Sequence, residues 1–231
     1  MEFQTLCFRV SDVGICPHCH SKNIIKNGHT KTQKQQYLCK NCHKRFLDFY
    51  TYQAYLPRIN QKIVQLTKEG LGIRSISRVL KISTTTILKR LIIIAKNIKN
   101  PIISFNKTYE VDEMRFFSKS KNRLFWLVYA LERKSKNVVS FQIGRRTTNT
   151  LQSVIKTLMY SNPKRIYTDK LKHYKYLISS KIHSTKRYQT NHIERNNLTI
   201  RTHLKRFQRK GLGFSKSLII TSAILRIYFW G

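Results

Sequence analysis

Three acidic residues lie in settings where their carboxylates can do chemistry. Asp112 is in the middle of a predicted strand, Asp169 follows a short predicted strand, and Glu194 lies in a predicted helix. The chain has ten Asp and Glu residues against 45 Lys and Arg, so it has few carboxylates. Three carboxylates that converge can hold two Mg²⁺ ions about 4 Å apart, which activate a nucleophile and stabilise the leaving oxygen of a phosphodiester. The residues alone leave open the alternative that these acids only neutralise nearby cations.

Two further acids, Glu110 and Glu113, flank Asp112 in the same predicted strand. Because side chains alternate along a strand, we expect Glu110 on the same face as Asp112 and Glu113 on the opposite face. A strand-centre Asp destabilises the fold if it is buried unpaired, so Asp112 requires a partner or a metal ion. Glu110 and Glu113 are therefore local competitors for any metal-binding role.

The segment 191–214 predicts the helix that carries Glu194, since it has no proline and no glycine before Gly211. Arg201 follows Glu194 by seven residues, which places both two turns apart on one side of a helix. A guanidinium there can bind a phosphate group. His192 is either a phosphate or base contact or a plain surface histidine. The apolar stripe of this helix consists of Ile193, Ile200, Leu204 and Phe207. The cations predicted to extend the phosphate contact are Arg206, Arg209 and Lys210.

Two C-x-x-C pairs near the start of the chain are typical of a zinc ribbon. Nineteen residues separate the pairs, about the length of a hairpin between two knuckles that hold a tetrahedral Zn²⁺. Redox dithiols and unliganded buried thiols are the alternatives. The predicted zinc ligands are Cys16, Cys19, Cys39 and Cys42. Cys7 lies outside the pattern and receives no role.

From Asn60 to Asn100-Pro101 the pattern predicts three helices. The first ends at Gly70-Leu71-Gly72, and the third begins after a cap at Ser83 or Thr84. Two short helices followed by a longer basic one resemble a helix-turn-helix unit, whose last helix enters the major groove of DNA. The DNA contacts expected at the leading end of that helix are Thr84, Thr85, Thr86, Lys89 and Arg90.

After Asn100-Pro101 the pattern changes from helical to strand-like. Strands followed by helices predict an α/β domain with a mixed sheet and covering helices. The predicted strands are Thr108–Phe117, Arg123–Leu131, Asn137–Ile143 and Lys164–Thr168, with a helix over Thr147–Tyr160. We therefore expect three domains, at 1–50, 51–100 and 101–231.

The charge of the chain indicates its partner. The formal net charge is +35, and 41% of residues are hydrophobic, which is enough for a core. So basic a protein is expected to attract a polyanion. Nucleic acid is the first candidate and an anionic membrane the second. No apolar run reaches the length that spans a membrane, and the first residues do not form a secretory signal.

The odd number of cysteines, four of them in two tight pairs, argues against a disulfide framework. We expect a cytoplasmic, nucleoid-associated protein.

The blocks CPHC…YLCKNC, YEVDE, IYTD and IERNNLTIRTHLKRFQRKGLGFSKS resemble the transposases of the insertion sequence one family. The resemblance extends from Cys16 to Ser217, and its last block is the most specific. It implies a zinc ribbon and a helix-turn-helix unit that recognise terminal repeats, followed by a ribonuclease H-like catalytic domain with an Asp-Asp-Glu triad. The family triad falls on Asp112, Asp169 and Glu194, with its basic residue on Arg201. Lys170 stands where the family pattern has a glycine.

The sequence as a whole predicts a DNA transposase. It would bind the terminal inverted repeats of its element, cleave their 3′ ends with Mg²⁺ or Mn²⁺, and join them to target DNA, as a homo-oligomer on double-stranded DNA. Two alternatives stay open: a zinc-dependent DNA-binding repressor with an inactive nuclease-like domain, and a Mg²⁺-dependent nuclease or resolvase of the same fold.

Overall fold

The computed structural model describes residues 9–50, 52–56, 58–186, 188–208 and 213–231. Within these ranges the chain forms a three-stranded sheet near its N-terminus and a five-stranded sheet in its C-terminal half. The predicted DNA contacts Arg209 and Lys210 lie outside the described residues, as does Cys7.

The N-terminal sheet is a small unit with its own core. Its elements are α1 (Val10–Val13), β1 (Ile24–His29), β2 (Gln35–Cys39) and β3 (Arg45–Leu47), with the strands antiparallel in the order β1-β2-β3. Its buried hydrophobic residues are Val10, Cys16, Tyr37, Cys39 and Phe46. So few apolar side chains provide little folding free energy without a further constraint.

Three α-helices follow a 3₁₀ turn at Gln53–Tyr55. They are α2 (Ile59–Lys68), α3 (Ile73–Leu80) and α4 (Thr84–Asn97). The predicted cap of α4 is Ser83, whose side chain accepts the N–H of Thr86 at 3.2 Å. After α2, Gly70 has φ +77°, and a Cβ there would lie 2.2 Å from the backbone oxygen of His203. The turn after α2 therefore requires glycine both for its backbone conformation and for its close approach to a later helix.

The large sheet is mixed and has the ribonuclease H-like strand order. Strand β4 (Thr108–Ser118) lies at its centre in the order β6-β5-β4-β7-β8. Strands β4, β5 and β6 are antiparallel, whereas β7 runs parallel to β4 and β8 parallel to β7. The predicted fold class is confirmed. The other strands are β5 (Ser120–Glu132), β6 (Val138–Gly144), β7 (Arg165–Tyr167) and β8 (His183–Ser184).

Helices cover both faces of this sheet. One face packs on α5 (Thr148–Met159) and α6 (Lys172–Leu177). The other packs on α7 (Asn191–His203), a 3₁₀ turn at Lys205–Phe207, and α8 (Leu218–Trp230). Among the described residues, no helix is long and apolar enough to cross a membrane.

The helix predicted to carry Ile193, Ile200, Leu204 and Phe207 on one stripe is shorter than expected. All four residues of its apolar stripe are buried, but α7 ends at His203 and Phe207 lies in the separate 3₁₀ turn. The break at Leu204 redirects the chain toward β4, where the ring of Phe207 lies 5.1 Å from that of Phe116. The prediction of one continuous helix was wrong because this tertiary contact decides where the helix stops.

Helices α2–α4 share a core with the sheet. Ile63, Ile87 and Leu91 belong to the same buried cluster as Met114 of β4 and Ile224 of α8. The guanidinium of Arg226 in α8 also donates to the carbonyls of Ala95, at 3.0 Å, and Ile98, which satisfies the carbonyl end of α4. The domain boundary at residue 100 stays a prediction. The residues before and after it pack in one buried cluster.

Candidate active site and metal-binding cysteines

The four paired cysteines form a cluster that fits a zinc ion. Their sulfur atoms all lie within 4.8 Å of one another, with 3.7 Å between Cys16 and Cys42 and 3.5 Å between Cys19 and Cys39. Four sulfurs about 2.3 Å from one Zn²⁺ lie about 3.8 Å apart, whereas a disulfide is about 2.05 Å long. The cysteines are free thiols with the spacing of a tetrahedral site, so this cluster can bind zinc.

The two knuckles have the same backbone geometry. In each, the residue after the second cysteine has a left-handed backbone, with φ 57° at His20 and 55° at His43. Each of these histidines donates its N–H to the carbonyl of the first cysteine of its pair, at 2.9 Å to Cys16 and 3.0 Å to Cys39. The thiol pKa values differ within the cluster: the backbone N–H of Cys42 lowers the pKa of Cys39 to about 7, whereas burial raises the pKa of Cys16.

Asp112 lies in the middle of β4, paired across the sheet with Tyr129 of β5. Its Oδ1 accepts the N–H of Glu113 at 2.7 Å, and its Oδ2 accepts the side-chain amide of Asn197 in α7 at 2.7 Å. Burial raises the pKa of Asp112 to about 6, and the nearby carboxylates of Glu113 and Asp169 add to the rise. Asp112 is therefore a desolvated acid with other acids near it.

Asp169 follows β7, and β7 lies beside β4, the strand that carries Asp112. Glu110 pairs with Tyr167 in the parallel register of β4 and β7, and Asp112 and Asp169 each lie two residues beyond that pair. Asp169 is exposed, and its Oδ1 accepts the N–H of Leu171 at 3.0 Å. The sheet topology thus brings these two carboxylates near each other, as the effect of Asp169 on the pKa of Asp112 also indicates.

Glu194 is on the same side of α7 as the residue that contacts Asp112. It precedes Asn197 by three residues, almost one helical turn. Its carboxylate is exposed and accepts the hydroxyl of Thr190 at 2.9 Å. Among the described residues, the four cysteines have their ligand atoms close enough together to share one ion. The carboxylates of the described acids do not lie that close together.

Helix α7 is fastened to the sheet through Tyr129. The hydroxyl of Tyr129 lies 2.9 Å from Oδ1 of Asn197 and 3.1 Å from the carbonyl oxygen of Ile193. Burial raises the pKa of Tyr129, and the positive charge of Arg201 opposes that rise. Arg201 follows Asn197 by four residues, about one helical turn, so it lies on the side of α7 that faces Tyr129 and Asp112.

The two acids that flank Asp112 are buried on opposite faces of the sheet, as strand alternation predicts. Glu110 is fully buried and accepts the N–H of Ile193 at 2.9 Å, with Nδ1 of His192 at 2.7 Å. Glu113 is 9% exposed and faces α6, where the hydroxyl of Tyr174 donates to it. The sequence predicted both only as competitors of Asp112. The signal in the sequence is three acids within the four residues 110–113 of one strand.

The predicted DNA contacts of α4 have different surroundings. Thr84, Thr85 and Lys89 are exposed, whereas Thr86 has its hydroxyl 2.8 Å from that of Ser83. The guanidinium of Arg90 donates to Oδ1 of Asn60, at 2.7 Å, and to the carbonyl of Ala54. Arg90 is thus bound within the protein.

Arg206, the described member of the predicted phosphate-contacting group, is half-buried. Burial lowers its pKa to about 10, so the side chain is partly desolvated while it still carries a charge at neutral pH.

A family model described as IS1 transposase matches residues 107–229, and one described as InsA C-terminal domain matches residues 50–93. Insertion element IS1 protein InsB of Shigella flexneri is 34% identical over 119 residues, which are 52% of this chain and 91% of that protein. Insertion element IS1 2 protein InsB of Escherichia coli (strain K12) is 38% identical over 109 residues, covering 47% of this chain and 65% of that protein.

Solved structures are more distant. A chain of the simian T-cell lymphotropic virus intasome has a TM-score of 0.40 and 19% identity, covering 70% of this chain and 66% of that chain. The HTLV-2 integrase catalytic core domain in its trimeric form with magnesium has a TM-score of 0.38 and 18% identity, covering 55% of this chain and 86% of that chain.

The family matches and the ribonuclease H-like sheet, preceded by a helix-turn-helix unit and a four-cysteine cluster, define the class of DDE transposases. The chain belongs to the IS1 transposase family.

Proposed function

We propose that the protein is the transposase of an insertion element: it binds the terminal inverted repeats, cleaves their 3′ ends and transfers them into target DNA. The observation that carries this proposal is the pair Asp112 and Asp169 on neighbouring strands, with the pKa of Asp112 raised to about 6. Perturbed carboxylates of this kind are typical of functional sites. Membership of the IS1 transposase family supports the same assignment.

Asp112, Asp169 and Glu194 would hold the divalent metal, Mg²⁺ or Mn²⁺. The surroundings of Asp112 suit such an ion, because this acid is desolvated beside like charges that a cation would neutralise. The carboxylate of Glu194 is exposed, and its described partner is the single hydroxyl of Thr190, so it is not committed to a buried network. A bound divalent ion supplies positive charge to the phosphodiester at the step of attack.

The remaining residues of the site position these acids and the DNA. Asn197 holds one oxygen of Asp112, and Tyr129 holds Asn197, so α7 is aligned on the centre of the sheet. Arg201 lies on that same side of α7 and would bind end DNA or the scissile phosphate.

The rest of the chain would bind DNA. Thr84, Thr85, Thr86 and Lys89 lie at the leading end of α4, which would read the element end in the major groove. With Arg90 bound to Asn60, we assign the base or phosphate contact in this region to Lys89. Arg206, Arg209 and Lys210 would contact phosphates, and the protein would act as a homo-oligomer on nucleoid DNA in the cytoplasm.

The test is cleavage and strand transfer of a labelled element end. In Mg²⁺ or Mn²⁺ the wild type should cut and join, and in Ca²⁺ it should only bind. Asp112→Asn, Asp169→Asn and Glu194→Gln should each lower both rates by about 10³-fold or more, because metal contributes several kcal/mol to transition-state stabilisation. DNA binding should be equal or stronger, since a negative charge beside phosphate is removed. Glu69→Gln, which removes an exposed acid at the end of α2, is the matched control.

Other outcomes identify the alternatives. Specific end binding without metal-dependent cleavage would indicate a repressor with an inactive nuclease-like domain. Cutting without joining would indicate a nuclease or resolvase. Near-normal strand transfer by Glu194→Gln would remove Glu194 from the triad.

A further inference from the structure

We propose that Glu110 and Glu113 are positioning residues for the other two acids of the site. Glu110 holds the helix that carries Glu194, and Glu113 holds the segment that carries Asp169. One strand, β4, would then set the positions of all three carboxylates. The proposal rests on the proposed function, because it assigns a role toward the same metal-binding acids.

Glu110 acts as a cap for α7 from a neighbouring element. Thr190, at the start of α7, makes no side-chain cap, and its hydroxyl donates to Glu194 instead. The first N–H groups of a helix lack partners within the helix and carry partial positive charge. Glu110 supplies the missing acceptor, since its Oε2 lies 2.9 Å from the N–H of Ile193. That N–H belongs to the residue immediately before Glu194, so the height of Glu194 above the sheet depends on Glu110.

His192 adds a second contact between the same carboxylate and the same turn. Its Nδ1 lies 2.7 Å from Oε1 of Glu110, closer than Nε of Arg133 at 3.4 Å. A carboxylate that only neutralised a cation would need Arg133 alone. The two short contacts from Glu110 instead go to the first turn of α7, where they fix its position on β4.

Glu113 makes the equivalent contacts on the opposite face. The hydroxyl of Tyr174 in α6 donates to Oε1 of Glu113, and Nη2 of Arg146 lies 2.8 Å from Oε2. Tyr174 is fully buried. Helix α6 begins three residues after Asp169, and the N–H of Leu171 between them donates to Oδ1 of Asp169 at 3.0 Å. The Glu113–Tyr174 contact therefore fixes the turn that presents Asp169.

The experiment measures metal affinity and segment mobility in the full-length chain. Glu110→Gln and Glu113→Gln keep the side-chain shape and remove the charge. Glu132→Gln is the matched control, because Glu132 is also a strand acid of this sheet, and its described polar partners, Lys107 at 4.0 Å and Ser135, lie outside α6 and α7. Mn²⁺ affinity is read from the electron paramagnetic resonance signal of free Mn²⁺, and mobility from hydrogen exchange of peptides.

We expect both test variants to bind Mn²⁺ about 10–100-fold more weakly, the usual effect of removing a residue that orients metal ligands, and the control to change less than about twofold. Exchange should accelerate near 190–197 in Glu110→Gln and near 169–178 in Glu113→Gln, without crossing over. End cleavage should require correspondingly more Mg²⁺ for half-maximal rate and should recover when Mg²⁺ is raised, which a general loss of folding would not allow.

Two smaller changes keep the proposal testable if a charge-removing variant fails to fold. Tyr174→Phe removes one hydroxyl from the Glu113 side, and His192→Ala removes one ring from the Glu110 side. Each should weaken Mn²⁺ binding in the same direction, by about tenfold at most.

Wild-type Mn²⁺ affinity in both Gln variants, or exchange that accelerates equally in both segments, would overturn the proposal. If the wild type itself neither binds Mn²⁺ nor cleaves, the proposed function fails. The exchange measurements would still decide in that case whether each acid holds its own segment.

Discussion

The zinc ribbon and the centre of the large sheet both carry predicted metal ligands, but they relate to their surroundings in opposite ways. In the ribbon the four sulfur atoms already lie within 4.8 Å of one another, around a core of five buried residues. In the sheet the acids lie on β4, after β7 and on α7, between two large apolar clusters. The ligands of the ribbon lie together in one small unit, whereas those of the sheet lie on separate elements.

The difference shows where each region obtains its stability. A ribbon with so small a core depends on metal binding for much of its folding free energy. The sheet folds around large apolar clusters and bears the electrostatic cost of a desolvated Asp112 beside other acids. We therefore expect metal removal to unfold the first region and to leave the second folded but inactive.

The largest expected effect tests the ribbon. Cys39→Ser should abolish zinc binding and unfold residues 16–46, because structural zinc contributes roughly 10 kcal/mol or more to the folding of small domains. Hydrogen exchange should show full loss of protection in residues 16–46 and unchanged protection in β4 and β5. Binding to DNA of the element end should weaken. Cys7→Ser, outside the two pairs, is the control. Purified protein with an intact ribbon and no zinc by elemental analysis would contradict the comparison.

A pH series without added divalent metal tests the sheet. The folded pKa of Asp112, about 6, is above its ordinary value of 3.8, so the folded state binds this proton more tightly than the unfolded state. Relative to Asp112→Asn, the wild type should be most stable below pH 4 and lose about 3 kcal/mol as the pH rises through 6. Denaturant unfolding at each pH measures the difference. A difference that is flat between pH 4 and 7 would mean that Asp112 has no such cost.

The smallest expected effects concern helices α2–α4, which share their core with the large sheet. Arg90→Ala should destabilise the protein by about 2 kcal/mol, because Asn60 and the carbonyl of Ala54 lose a charged donor. Lys89→Ala should leave stability unchanged and lower the salt dependence of end binding by about 0.9 in the log–log slope, the value for one phosphate contact. Thermal unfolding and binding at several salt concentrations separate the two. If both variants weakened DNA binding equally and neither changed stability, the assignment of a structural role to Arg90 and a phosphate contact to Lys89 would be contradicted.

Much of the large sheet was predictable from local pattern. The strand predicted at Thr108–Phe117 is observed at Thr108–Ser118, and the helix predicted at Thr147–Tyr160 is observed at Thr148–Met159. The helix has an apolar face at helical spacing, and the strand is a long run rich in aromatic and β-branched residues, so both are visible in the local sequence. Strand β8 was missed, since two residues at His183–Ser184 carry no period and pair only because β7 lies beside them.

The sequence by itself determined the cysteine pairs that form the cluster, the fold class and the family, because each depends on residues that are close in the chain or on long patterned segments. It could not determine what each acid of β4 contacts. Glu110 and Glu113 are equivalent in type and differ only in the face on which they lie, and their partners, Ile193 and Tyr174, are 83 and 61 residues away. Only the tertiary structure brings α7 to one face and α6 to the other, because burying their apolar sides against the sheet fixes where each helix begins.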